Sequence, residues 1–193
     1  LGGIVPAALL EASRDDPSEL MRVAIPLLLD SGLRIGEAVS VRWGDVSFED
    51  KLISVRRAQF YESEINLETL TVTGRKTVFG HTKTPTSVRS IPLADSLAEN
   101  LKIWREVLLN AGCPKKQLYG DGFVLCTRAF QGFTVSGFRS NLRHFLKRHK
   151  LDGHGVVPHS FRHAYITDMF AAGNSLMEVE RVAGHSRVST TEG

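Results

Sequence analysis

The sequence predicts an α+β protein, mainly α-helical, with a small three-stranded antiparallel sheet. Three observations carry this expectation. Apolar residues recur at three- and four-residue spacing over 5–14, 18–31, 95–110, 134–149, 160–172 and 175–183, the spacing of helices with one buried face. The period shortens to two over 52–57, 76–79 and 88–93, which read as three strands. Finally, 193 residues with 42% hydrophobic and 23% charged content suffice for one good core, so a single domain over 1–193 is expected.

The first half is punctuated by glycine and proline. Pro17-Ser18-Glu19 opens the second helix, whose stripe is Leu20, Val23, Ala24, Leu27 and Leu28, and Gly32 ends it. Leu33 to Val39 resumes as a short helix with Arg34 at its entrance, between apolar neighbours that point inward; Glu37 stands three residues on as an ion-pair partner. Trp43-Gly44-Asp45 makes a turn before the strand region. Residues 80–87, rich in Gly, Pro, Ser and Thr, form a hairpin that holds Lys83 outward. The stretch 61–70 lacks clear periodicity and reads equally as an insertion or a fourth strand.

In the second half Asp95 is placed to cap a helix running to about Asn110, with Leu97, Leu101, Trp104, Val107 and Leu108 as its apolar stripe and Gly112 as its stop. Trp104 is then a core residue. Phe123 to Cys126 reads as a short buried extended segment. The helix from Thr134 buries Phe138, Leu142, Phe145 and Leu146, while Arg139, Arg143, Lys147 and Lys150 follow at spacings of four, four and three as a positive stripe without an acid. Such a stripe is either a solvated face or a groove-facing one. Pro158 is tolerated in the first turn of a helix, so His159 and Arg162 fall three apart on one face of that turn. Imidazole transfers protons near neutral pH, and a guanidinium offers a planar fork to two phosphate oxygens, so the pair suits phosphoryl transfer. A helix-capping histidine beside a surface ion pair is the competing reading. Phe161, Ala164, Tyr165 and Met169 should form the buried side of this helix. Gly173-Asn174 stops it, Ser175 starts the next, Gly184-His185-Ser186 ends that, and Ser189 to Glu192 has the form of a further capping box.

Charge is unevenly placed. Residues 1–50 hold four Lys/Arg against nine Asp/Glu, and the remainder twenty against twelve, a surplus of eight positive charges that favours a polyanionic partner. Cys113 and Cys126 are too few and too badly spaced for a zinc knuckle or a disulfide framework, which points to a reducing, cytoplasmic setting. No run has the length of a membrane span, and the first five residues lack the form of a signal peptide.

Four motifs stand in a telling order: Gly32-Leu33-Arg34-Ile35-Gly36-Glu37, then Thr82-Lys83-Thr84 before Arg89-Ser90-Ile91-Pro92-Leu93, then Pro158-His159-Ser160-Phe161-Arg162-His163, then Ala183-Gly184-His185-Ser186. With them the chain resembles, over nearly its whole length, the catalytic domain of the tyrosine recombinases, the phage and transposon integrase family. The resemblance implies a helical domain whose small sheet carries the lysine hairpin, and it implies neither metal nor cofactor. It makes Arg34 and Arg162 the clamp on a DNA phosphate, Lys83 the proton donor to the departing 5′-hydroxyl, His159 an assisting acid or base, His185 a hydrogen-bond donor to the phosphate and Glu37 a buttress.

It also implies double-stranded DNA as partner, a homotetramer on DNA for a full-length protein, and a nucleoid-associated place in a bacterial or phage setting. The family puts its nucleophilic tyrosine about nine positions after the histidine matched by His185, one residue past Gly193. A catalytic-domain fragment, monomeric and inactive in strand cleavage, is therefore expected. Three rivals compete: a nucleophile-less DNA-binding module, a type IB topoisomerase or telomere resolvase, and a zinc hydrolase using His159 and His163. The last lacks the glutamate of an H-E-x-x-H motif and sets Arg162 beside the metal.

Overall fold

The computed structural model describes residues 4–66, 69, 71–81 and 88–184. Helices α1 (Ile4–Arg14) and α2 (Glu19–Ser31) come first, then one short turn of helix, α3 (Ile35–Ala38). The expected stop after α2 is present: Gly32 has φ of +59°, a left-handed conformation that glycine adopts without steric cost. A second constraint falls on the same position, because a Cβ on Gly32 would lie 2.3 Å from the ring of Tyr165. The backbone there must be bare for the C-terminal helices to pack on α2.

Five strands follow among the described residues: β1 (Val46–Ser47), β2 (Leu52–Val55), β3 (Arg57–Asn66), β4 (Thr71–His81) and β5 (Arg89–Pro92). All three expected strand segments are extended, and the small three-stranded antiparallel sheet exists, but its membership differs from the expectation. The sheet order is β1-β2-β5, with Ile53 opposite Ile91 at its centre. Residues 76–79 belong instead to β4, which pairs with β3 in a separate two-stranded ribbon. Of the undecided stretch 61–70, residues 61–66 are thus strand. Strand pairing is a long-range choice that local periodicity does not encode, and the two-residue β1 is too short to show a period at all.

Helices α4 (Asp95–Asn110), α5 (Lys115–Leu118), α6 (Val135–Arg148), α7 (Pro158–Ala171) and α8 (Leu176–Ala183) complete the described chain. Asp95 does not cap α4: Ala94 holds the N-cap position, and the Asp95 carboxylate pairs with Lys51 at 2.7 Å. Thr134 and Ser175 do cap, accepting bonds from the backbone N–H groups of Gly137 and Glu178. Pro158 is the first residue of α7, as its missing N–H and fixed φ favour. Trp104 is buried in the core and its indole N–H donates to the Val124 carbonyl at 2.8 Å. One apolar cluster runs from Leu9 through α2, β2, β5, α4 and α6 to Phe161 and Val182, so both ends of the described chain close on the same interior. Among the described residues no helix is long and apolar enough to cross a membrane.

Candidate active site

Burial of charge locates the site. Glu37 is 3% exposed, Arg162 2% and Arg89 8%, and ionised groups are left in such surroundings only when paired and hydrogen-bonded. Arg89 grips Glu37 with both terminal nitrogens, Nη1 to Oε1 at 3.0 Å and Nη2 to Oε2 at 2.9 Å. Arg34, whose side chain is 46% exposed, donates to the same carboxylate from Nη1 at 3.2 Å and from its backbone N–H at 2.8 Å. Burial alone would raise the Glu37 carboxyl pKa, but the bonds and charges of Arg89, with those of Arg34, hold it below its ordinary value.

The end of α8 gathers the three guanidinium groups. Arg89 Nε donates to the Val182 carbonyl at 2.6 Å, Arg162 Nη2 to the Ala183 carbonyl, and Arg34 Nη2 to the Gly184 carbonyl at 3.3 Å. Arg162 Nη1 also reaches the Gly32 carbonyl, just past α2, at 2.8 Å. The last carbonyls of a helix lack partners within it and carry the negative end of its dipole, which makes them natural acceptors for cations. Burial, then the positive charge of Arg34, lowers the Arg162 pKa to about 10, still far enough above neutrality to keep it charged. Two guanidinium groups thus bind one carboxylate and a third, Arg162, lies within its electrostatic reach, an excess of two positive charges.

That excess opens on a cleft of about 680 Å³ between α3, α6 and α7. Arg34, His159 and Arg162 line it together with Arg139 and Arg143 of the α6 stripe, against one acid, Asp152. His159 lies edge-on to His163, ring centroids 4.5 Å apart. Desolvation, then the charges of His163, Arg162 and Arg34, hold the His159 pKa below its ordinary value, which favours the neutral form at pH 7.

The structure therefore brings together Arg34, Glu37, His159, Arg162, Arg139 and Arg143. Lys147 and Lys150 are exposed but do not line the cleft; α6 ends at Arg148, and Lys150, with φ of 56°, has left the helix. Lys83, His185 and the capping box at 189–192 lie outside the described residues. Arg89 carries no role in the sequence beyond its place in a motif, yet it is the most fully engaged cation of the group. A signal for it existed, since alternation along 88–93 puts Arg89 on the inward face with Ile91 and Leu93. Among the described residues no group of three or more His, Cys, Asp or Glu could hold a metal ion.

Solved structures share this fold. The XerA recombinase superposes with a TM-score of 0.72 at 19% identity, covering 99% of this chain and 57% of that one. The Tn1549 transposon integrase in complex with a circular intermediate DNA gives 0.74 at 20%, covering 97% and 58%. The sequence match is more specific than the fold: residues 6–193 fit the phage integrase family model, and the chain belongs to that family. Among curated relatives, a XerC-like tyrosine recombinase of Caldanaerobacter subterraneus subsp. tengcongensis is 29% identical over 179 residues, 86% of this chain and 42% of the relative. The transposase from transposon Tn916 of Enterococcus faecalis is 24% identical over 174 residues, again 86% of this chain and 40% of the relative. The chain thus spans less than half the length of these two relatives.

Proposed function

We propose that this chain is the strand-cutting domain of a site-specific DNA recombinase or integrase. The single observation that carries the reading is the surplus of fixed guanidinium groups around Glu37, open to a cleft that His159 lines. Such a surplus is unfavourable unless an anion fills it, and the cleft's two further arginines extend the positive surface along a path suited to a phosphate backbone.

In this reading Arg34 and Arg162 hold the two non-bridging oxygens of the scissile phosphate and stabilise the charge of the pentacoordinate transition state. Both are aimed before DNA arrives, Arg162 by two carbonyls and Arg34 by Glu37 and Gly184. A tyrosine hydroxyl attacks phosphorus, a phosphorus–oxygen bond forms, and the bond to the 5′ oxygen breaks. His159, whose neutral form is favoured at pH 7, is suited to accept the tyrosine proton, and Lys83 gives a proton to the departing 5′ oxygen. Attack by another 5′-hydroxyl reverses these transfers and rejoins the strand. His185 is assigned a hydrogen bond to the phosphate.

Tyr165 is not assigned the nucleophilic part: its ring packs on Gly32, and burial raises its phenol pKa. Tyr61 and Tyr119 are exposed and do not line the cleft. The partner is double-stranded DNA, four copies acting on two duplexes, in the cytoplasm of a bacterial host. Residues 1–193 form one catalytic domain there, and the attacking hydroxyl belongs to none of their three tyrosines.

The test uses the protein as its gene encodes it, without divalent metal, on a nicked duplex carrying a target site selected from random DNA. A protein–DNA adduct on a denaturing gel, lost in Arg162→Ala, is expected. Intact, salt-sensitive binding with no adduct would instead mark a DNA-binding module without strand transfer.

A further inference from the structure

We propose that Arg89 is a positioning residue of this site, one side chain that sets β5 and the end of α8 against Glu37 and, through it, against Arg34. The inference rests on the strand-transfer reading. Arg89 does not line the cleft, so it is not placed to touch a phosphate there; what it touches is the support of those residues that are.

Its own strand, β5, begins at Arg89 and pairs with β2, so the guanidinium is anchored at the first residue of an edge strand of the sheet. Its Nη1 and Nη2 fix Glu37, which in turn receives both the side chain and the backbone N–H of Arg34. Its Nε fixes the Val182 carbonyl, three positions ahead of His185. Gly184 closes against the same group: it has φ of +65°, and a Cβ there would come within 3.0 Å of Arg89 Nη1. The end of α8 therefore rests on the arginine with no side chain between them.

The geometry needs arginine in particular. A planar fork meets both carboxylate oxygens while its third nitrogen turns to a carbonyl on another element, whereas a lysine ammonium would meet the carboxylate as a point charge and leave one partner behind. A buried Glu37 without its fork would also lose the contact that most strongly offsets its burial, and its pKa would rise.

Arg89→Lys, and the paired Glu37→Gln/Arg89→Gln variant that removes both buried charges together, test this in the protein as its gene encodes it. The readouts are single-turnover adduct formation on the nicked duplex, affinity for that duplex, thermal melting and the pH profile of the rate. Arg89→Lys should leave affinity little changed and slow adduct formation about 10²-fold, the scale expected for a small displacement of groups that must align. Its rate should gain an acid limb as Glu37 takes up a proton, and the paired variant should be slow without that limb. If either variant forms adduct at the unsubstituted rate, or slows only in proportion to its unfolded fraction with an unchanged pH profile, Arg89 is a stabilising ion pair and the proposal fails. Absence of adduct from the unsubstituted protein would overturn the strand-transfer reading, and this proposal with it.

Discussion

Glu37 and Asp16 are both buried carboxylates met by an arginine fork, and they serve different ends. Asp16, fully buried in the turn between α1 and α2, accepts from Arg148 Nε and Nη2 at 2.9 and 2.8 Å and from the Ser18 backbone N–H at 2.7 Å, and lies 2.7 Å from His149 Nε2. Its backbone carbonyl takes Arg22 Nε at 2.7 Å. One fork, one imidazole and one carboxylate are close to balance, and the cluster ties the start of the domain to the end of α6. Around Glu37 the Arg89 fork and the Arg34 guanidinium share one carboxylate while Arg162, held by two carbonyls, stands near it, and the surplus faces a cleft. A balanced cluster closes on itself and acts as a clasp; an unbalanced one leaves donors aimed at something the chain does not contain.

Substitutions should separate the two clusters. Arg34→Ala removes a half-exposed donor while Arg89 still holds Glu37, so melting should change little. Adduct formation should fall about 10²–10³-fold, the usual cost of one preorganised donor to developing charge. A loss of stability with normal cleavage would merge the two clusters into one structural class. Asp16→Asn is the opposite case. It should cost about 2 kcal/mol in chemical denaturation, moderated because Arg148 is 40% exposed and can turn to water, with the adduct rate per folded molecule unchanged.

Acid unfolding sharpens the same contrast. Burial alone would raise the Asp16 carboxyl pKa, but bonds from His149, Arg148 and Ser18 outweigh it and hold the group below its ordinary value. The stabilisation is therefore present above the unfolded-state pKa of about 3.9 and is lost as pH falls through the lower folded value. Asp16→Asn should flatten that part of the acid limb.

His159 supplies a smaller effect. Its pKa is depressed in the free protein, so a phosphate in the cleft should raise it, and DNA binding near pH 6.5 should take up a fraction of a proton. Calorimetry in buffers of different ionisation enthalpy would detect the uptake, which should vanish in His159→Gln. Smallest is the division within the α6 stripe. Arg139→Ala or Arg143→Ala should each lower the salt dependence of DNA binding by about one phosphate contact, while Lys147→Ala and Lys150→Ala, outside the cleft, should leave it nearly unchanged.

Much of the site was legible because its parts are local. The spacing of Pro158, His159 and Arg162 within one helical turn and of Arg34 and Glu37 across another needs no knowledge of the rest of the chain. The caps at Thr134 and Ser175 and the stop at Gly32 are equally local, since each is decided within four residues. Asp95 shows the limit of such reasoning: a suitable cap residue was drawn one position into the helix, where Lys51 from a distant turn engages it.

What the sequence by itself determined, then, is where helices begin and end, which faces they bury, and which side chains can do phosphoryl chemistry; near-neighbour sterics and periodicity decide those. The tertiary structure alone decided that residues 76–79 join the β3–β4 ribbon while 46–47 complete the sheet. It alone decided that Arg89 lies under Glu37, and that three carbonyls at the end of α8 receive three arginines, from the N-cap of α3, from β5 and from α7. Each of those contacts joins residues 21 to 150 positions apart. Such partners are chosen when the core closes, because only then does each buried charge have to find the groups that neutralise it.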